Sequence, residues 1–402
     1  MKRMRNRQTE LVNDSGRKRP FGTLTTPICP TVTYVFDSTE QGRKRHTGED
    51  AGFIYTRLGN PTTNELEEKI ARMEGGEAAV AFSSGMGAIC STILTFIKAG
   101  DHLLADKAMY GGTFDLLHHK LGEFGVEVEV LDFRDLKALE AAIRPETAMV
   151  YCETITNPTM KVVDIEAIAA MTHEKAPKAL VVIDNTFATP LLYHPLKDGA
   201  DIVVESGTKY INGHSDVLAG FAVTDKEKAW LIKDHGLKFI TGAVMSPQDA
   251  YLVIRGIKTM PVRMREHCAN AMAVAQFMEG SSLFEKVYYP GLASHPDHEV
   301  AKKELSGFGG MIAFEMCSYD VARNLLDNLQ VINLAVSLGD VESLIEHPAS
   351  MTHSTLTNEE MIAAGFNERL IRLSVGIESA EDLIADLEQA ARKAHETVKQ
   401  ER

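Results

Sequence analysis

Lys209 stands among hydroxyl groups in Ser206-Gly207-Thr208-Lys209-Tyr210, just after the apolar run Ile202-Val203-Val204. Asp184 ends a second such run, Leu180-Val181-Val182-Ile183, and is followed by Asn185-Thr186. Ser83-Ser84-Gly85-Met86-Gly87-Ala88 joins a third, Ala78–Phe82, to a helical stretch. Taken singly, each has a plain reading: a surface lysine, a helix N-cap, a turn built on glycine. Taken together they lie at the C-terminal ends of predicted strands, where open α/β sheets place their ligands. Small residues opening a helix let backbone amides approach an anion. A carboxylate following a buried strand calls for a compensating cation. A lysine amine can form a Schiff base. These are the needs of pyridoxal phosphate: an amine for its aldehyde, an acid for its pyridine nitrogen, and a cup for its phosphate.

The elements that must position these groups alternate. Strand candidates are Ala78–Phe82, His102–Ala105, Glu127–Leu131, Ala148–Cys152, Leu180–Ile183 and Asp201–Val204, with helical stretches such as Ile165–Ala176 between them. This rhythm predicts an α/β fold with a mostly parallel central sheet and helices on both faces. It changes after about residue 255. A helix is predicted over Pro261–Met278, strands near Val287–Pro290, Gly310–Met316 and Leu370–Ile377, and a closing helix bearing Leu383, Leu387, Ala390 and Ala394. The expected organisation is an N-terminal arm (1–59), a large cofactor-binding domain (60–258) and a smaller C-terminal α+β domain (259–402).

Charge narrows the function. The 402 residues hold 42 basic and 56 acidic side chains, net −14, which argues against a nucleic-acid partner. No apolar stretch reaches the ~20 residues of a membrane span. The first twenty residues are net +5 but lack the apolar core of a signal peptide, and read as a solvated arm. Cys29, Cys90, Cys152, Cys268 and Cys317 are scattered without a CxxC pair, which suits a reduced, cytoplasmic setting. His295 with His298, and His347 with His353, have loose metal-ligand spacing and no accompanying frame, so no metal site is expected. The seventeen methionines read as core filler and Trp230 as part of a surface helix.

The ordered motifs Tyr55–Thr62, Ser83–Ala88, Tyr110-Gly111, Glu153 with Asn157-Pro158-Thr159, Asp184–Thr186, Ser206–His214 and Arg372–Gly376 resemble those of the pyridoxal-phosphate enzymes of cysteine and methionine metabolism. This fold-type I group includes methionine γ-lyase, cystathionine γ- and β-lyases and homoserine-ester sulfhydrylases. The resemblance runs from about Phe21 to Ala390. It implies that Lys209 holds the cofactor and shuttles protons, that Asp184 pairs with the pyridine nitrogen, and that Asn157 bonds the ring hydroxyl. It also implies that Gly85, Met86, Ser206 and Thr208 take the phosphate. Tyr110 would stack on the ring and serve as acid/base at the leaving group, while Arg372, with Ser337, would grip the substrate carboxylate. Tyr55 and Arg57 would reach the phosphate of a neighbouring subunit in a homotetramer built from two catalytic dimers.

Within the group, Tyr55-Thr56-Arg57-Leu58-Gly59, Gly236-Leu237-Lys238, Leu334–Gly339 and His347–His353 look like the methionine γ-lyase versions. Val336 stands where cystathionine γ-lyases carry a glutamate. Two departures, Gly112 and Phe239, replace a cysteine and an aspartate usual in methionine γ-lyases. The resemblance therefore implies a carbon–sulfur lyase acting on a small sulfur amino acid. It would perform γ-elimination on methionine and on homocysteine. Cystathionine γ-lyase and O-acetylhomoserine sulfhydrylase are the alternatives.

Overall fold

Twelve strands are found in a computed structural model that describes residues 7–13, 18–352, 354 and 357–400. In chain order they are β1 (Ala78–Phe82), β2 (His102–Asp106), β3 (Glu127–Leu131), β4 (Thr147–Glu153), β5 (Leu180–Asp184), β6 (Ile202–Glu205), β7 (Gly220–Thr224), β8 (Lys286–Tyr288), β9 (Met311–Glu315), β10 (Asn333–Leu334), β11 (Leu344–Glu346) and β12 (Leu370–Ser374). The chain divides into two compact units, Met1–Ile97 with Asp201–Thr259, and Lys98–Ala200 with Met260–Arg402.

In the first unit β1 and β6 both pair antiparallel with β7. The helix Pro61–Glu74 begins where Asn60 accepts from the Thr62 amide and Pro61 fills the first helical position, and it ends at Gly75 with φ 80°. Its stripe of Leu66, Ile70 and Met73 is buried, and the helix packs against β1 and against the helix Pro247–Ile257. Strand β7 is absent from the sequence expectation. Every residue of Gly220–Thr224 is buried, so the segment shows no alternation of polar and apolar positions to mark it. The basic N-terminal segment is tied down in part: Leu11 is buried and Arg19 pairs with Glu65 at 2.6 Å. Residues 1–6 and 14–17 of that segment lie outside the described residues. Trp230 is exposed on the helix Lys226–Leu231.

In the second unit β5, β4, β2 and β3 are parallel neighbours in that order. Asp164 caps the intervening helix Ile165–Lys175. The parallel expectation holds for these four strands, and β7 makes the architecture mixed. A further sheet has the order β10-β11-β12-β9-β8, antiparallel except for β10 with β11. Phe314, Ile345, Ile371 and Leu373 from this sheet share one apolar core with Val274 and Met278 of the helix Met260–Glu279 and with Leu383 and Leu387 of the helix Ala380–Gln400. Strands β10 and β11 escape the sequence reading because two- and three-residue strands carry too little pattern. No helix among the described residues is long and apolar enough to cross a membrane.

Candidate active site

The first unit holds the anion cup and the lysine. β1 ends at Phe82 and the helix Gly85–Phe96 starts three residues on, capped by Ser84, whose hydroxyl accepts from the Gly87 amide at 3.0 Å. The amides of Gly85 and Met86 precede the first intrahelical hydrogen bond, so the helix itself offers them no acceptor. They are the donors that an anion takes at such a terminus. The cup is tight. A Cβ at Gly85 would lie 2.9 Å from the Ser206 Cβ, and one at Gly220, the first residue of β7, would lie 2.0 Å from the Ser84 carbonyl oxygen. Both positions therefore require glycine for close backbone approach.

Ser206 and Lys209 follow directly on β6. The Lys209 amide donates to the Ser206 carbonyl at 3.2 Å, and the Lys209 carbonyl accepts from the Gly213 amide at 2.7 Å. This turn holds the half-buried lysine three residues from the hydroxyl that closes the cup. The Thr208 hydroxyl accepts from the Ala219 amide at 2.9 Å and donates to the Ala219 carbonyl at 3.2 Å. Its proton braces the loop, so it would bind a phosphate only by releasing that carbonyl. Tyr55 and Arg57 are both exposed, with the guanidinium 5.7 Å from the Tyr55 ring centroid and donating to the Lys238 carbonyl at 3.1 Å. Phe239, next to that carbonyl, is 68% exposed, and the Lys238 ammonium lies 4.5 Å from its ring centroid.

The second unit holds the acids and Arg372, the arginine expected to grip a carboxylate. Asp184 ends β5 beside Glu153, the last residue of β4, and the two are paired in register. Both are buried. The Asp184 carboxylate accepts from the Thr186 amide at 3.0 Å and from the Tyr151 hydroxyl at 3.4 Å. Burial raises its pKa above the usual carboxylate range, while the bonds from Thr186 and Tyr151 work against that shift. A buried acid of this kind is relieved by a protonated ring nitrogen. Glu153 is raised further, by burial first and by the charge of Asp184 second. Its carboxylate nevertheless accepts from two amides, Tyr110 at 2.7 Å and Asn157 at 2.8 Å. At the end of β2, burial lifts Asp106 to about 7.

Arg372, on β12, is buried opposite Glu346 of β11. One terminal nitrogen lies 2.8 Å from the Glu346 carboxylate and donates to the Ser337 carbonyl at 3.0 Å, and the other donates to Asn157 Oδ1 at 2.8 Å. Ser337 has φ 94°, a left-handed conformation that side chains seldom adopt and that marks functional loops. Because Arg372 can only donate, it fixes the Asn157 amide with its oxygen inward and its NH2 group available as a donor. Tyr110 is 41% exposed at the start of the helix Gly111–Asp115, and half-buried Gly112 lies in that helix. Val336 is exposed.

Tyr110, Asp184, Asn157, Ser337 and Arg372 thus share one unit, while Gly85, Met86, Ser206, Thr208, Lys209, Tyr55 and Arg57 share the other. Sequence reasoning missed Glu153, Tyr151 and Glu346. For Glu153 the signal was available, since a carboxylate after the apolar Ala148–Cys152 run is the same cue that selected Asp184. Three histidines of those pairs contact the backbone or a hydroxyl: His298 contacts the Pro290 carbonyl at 2.8 Å, His295 accepts from the Asp297 amide at 3.1 Å, and His347 contacts Ser350 and the Glu368 carbonyl. His353 lies outside the described residues.

The donor set suits pyridoxal phosphate: amides and hydroxyls about a cup that excludes a Cβ, an amine, and a buried acid lifted by its surroundings. Residues 8–392 match the model of the Cys/Met metabolism PLP-dependent enzymes, and the chain belongs to that family. It is 54% identical over 386 residues to the L-methionine gamma-lyase of Fusobacterium nucleatum subsp. polymorphum, covering 96% of this chain and 98% of that one. It is 46% identical over 373 residues to the cystathionine beta-lyase of Lactococcus lactis subsp. cremoris, covering 92% and 95%. Among solved structures, the cystathionine gamma synthase of Xanthomonas oryzae pv. oryzae, in complex with cystathionine, superposes with a TM-score of 0.91 at 38% identity, over 97% of this chain and 98% of that one. The fold is that of fold-type I PLP enzymes, and the chain is a PLP-dependent enzyme.

Proposed function

We propose that this enzyme is a carbon–sulfur lyase that breaks the Cγ–S bond, expelling methanethiol from methionine and hydrogen sulfide from homocysteine and leaving 2-oxobutanoate and ammonia. The observation that carries the reading is the buried frame of the second unit. There a forked cation suited to a carboxylate is joined through Asn157 and Glu153 to the tyrosine expected at the leaving group. The extent of identity to an L-methionine gamma-lyase supports methionine as substrate, as does the apolar Val336 beside Ser337. The bound cofactor supplies an electron sink for the substrate's α-carbon.

The chain's own residues do the rest. Lys209 holds the cofactor, takes the α-proton at Nζ and then moves a β-proton. Asp184 keeps a proton on the ring nitrogen. Asn157 donates from Nδ2 to the ring oxygen, in the orientation that Arg372 imposes. Gly85 and Met86 amides bind the phosphate with the Ser206 hydroxyl, and Thr208 joins them when it leaves Ala219. Arg372 and Ser337 hold the substrate carboxylate, and the Tyr110 hydroxyl delivers a proton to the departing sulfur. Incubation with methionine should release methanethiol, 2-oxobutanoate and ammonia in equal amounts. With O-acetylhomoserine and sulfide, 2-oxobutanoate should still exceed homocysteine; the reverse would assign the enzyme to the sulfhydrylases.

The assembly is a homotetramer of two catalytic dimers in the cytoplasm. Its three-part organisation is an arm (1–59), a cofactor domain (60–258) and a C-terminal domain (259–402). The exposed apolar side chains Phe21, Leu24, Val35, Tyr55 and Phe239 suit burial against a second copy, and the five unpaired cysteines suit a reducing compartment. Tyr55 and Arg57 then complete a neighbour's phosphate site. Mixing inactive Arg57→Ala and Lys209→Ala subunits should restore part of the activity, because one hybrid site regains both groups. No recovery after demonstrated subunit exchange would refute the sharing.

A further inference from the structure

We propose that Glu153 is a positioning residue for the reaction, its one carboxylate fixing the spacing between Tyr110 and the Asn157–Arg372 pair. The inference rests on the roles proposed above for those three residues and adds the group that sets their register.

Each oxygen of the carboxylate has its own amide. Oε1 accepts from Tyr110 at 2.7 Å and Oε2 from Asn157 at 2.8 Å. The Tyr110 carbonyl is held as well, accepting from the Phe114 amide at 2.9 Å. Both backbone polar groups of Tyr110 are therefore fixed, while its ring is 41% exposed and has no side-chain cap role. The Cα position, and hence Glu153, decides where the phenol starts. On the other side Asn157 accepts from Arg372, which also contacts Ser337 and Glu346. The result is one chain from Tyr110 through the buried Glu153, Asn157 and Arg372 to Glu346, with no link longer than 2.8 Å. Glu153 sits at the end of β4, a strand hydrogen-bonded on both sides, to β2 and β5, so the register is referred to an interior strand of the sheet. Keeping a carboxyl buried beside Asp184 is unfavourable, and its two oxygens are matched there by the amides of Tyr110 and Asn157. A neutral side chain of the same size would have served a turn that only needed filling.

Glu153→Gln is isosteric but offers one acceptor, with an NH2 group facing the second amide. The holoenzyme variant should bind pyridoxal phosphate within about threefold of the parent affinity and show an altered visible circular dichroism of the bound chromophore. Its kcat for methionine per occupied site should fall by about 10- to 100-fold, the size of effect that follows from displacing reacting groups by under an ångström. Its KM should change much less. In a Tyr110→Phe background the same substitution should lower kcat by less than about threefold, because groups acting as a unit are not additive. Glu153→Asp is the second variant. It keeps the carboxyl but is one methylene too short to serve both amides, so positioning predicts a loss there too. Unchanged kcat in either variant, or an equal loss with and without the Tyr110 hydroxyl, would overturn the inference. Failure of the parent itself to form a visible band with pyridoxal phosphate, or to release 2-oxobutanoate, would instead overturn the proposed function.

Discussion

Replacing Lys209 with alanine should abolish the yellow, borohydride-reducible species and lower turnover of methionine by at least about 10⁴-fold. In the role proposed for it one side chain would do two jobs, covalent attachment and proton transfer, and the second alone is worth roughly 10²–10⁴. The substitution keeps the backbone hydrogen bonds of residue 209 to Ser206 and Gly213 that shape the turn. Melting of the cofactor-free variant should accordingly stay close to that of the cofactor-free parent. Borohydride reduction of the parent followed by peptide mapping checks the assignment directly. A tag on any lysine other than Lys209 would refute it.

The second large effect is expected at Arg372. Arg372→Lys should lower kcat/KM for methionine by about 10²–10³-fold, or about 3–4 kcal/mol, mostly through KM. Lysine keeps the charge beside Glu346 but cannot reach Asn157, the Ser337 carbonyl and Glu346 in one plane. Arg372→Leu would confuse two effects, because it strands Glu346 as a buried charge at about 3–5 kcal/mol of stability. Steady-state kinetics of the lysine variant, with thermal melting as control, separates recognition from folding. An unaltered KM would mean that the substrate carboxylate is held elsewhere. The pairing with Glu346 also carries a physical lesson. Arg372 arrives with its charge already balanced by Glu346, so the carboxylate recognition proposed for it would rest on the geometry of its donors more than on net attraction.

Much of this was legible in the sequence, for a physical reason. Where a continuous apolar run such as Leu180–Ile183 stops at a carboxylate, the polar group has been carried to the edge of a buried layer, and such edges are where α/β folds bind ligands. The same reasoning located Lys209 after Ile202–Val204 and the glycine cup after Ala78–Phe82. It applies equally to Glu153. That residue was passed over as part of a longer motif, although its place after an apolar run is the same. Glu346 lay beyond sequence reasoning altogether, because only the β11–β12 register shows that it faces Arg372. The same limit hid β7. With all five residues buried it lacks periodicity, and its need is seen in three dimensions, where Gly220 must approach the Ser84 carbonyl. The Thr208 hydroxyl was assigned to the phosphate from its motif, while the structure shows its proton bracing Ala219. Motifs name the residues of a site but not which of them hold the others.

The central claim, that the enzyme is a γ-lyase for methionine and homocysteine, rests on the substrate's distal end. By the resemblance, Gly112 and Phe239 stand where methionine γ-lyases usually have a thiol and a carboxylate, and Val336 would offer a second ammonium group no counter-charge. Discrimination by apolar contacts is weak, about 1–3 kcal/mol per methylene, whereas an unpaired buried cation is strongly disfavoured. The direct test is kcat/KM for methionine, homocysteine and cystathionine on the unmodified enzyme. Methionine and homocysteine should fall within about a hundredfold of each other, or ~2.7 kcal/mol, and both should exceed cystathionine. Cystathionine as the best of the three would contradict the account and make the enzyme a cystathionine γ-lyase.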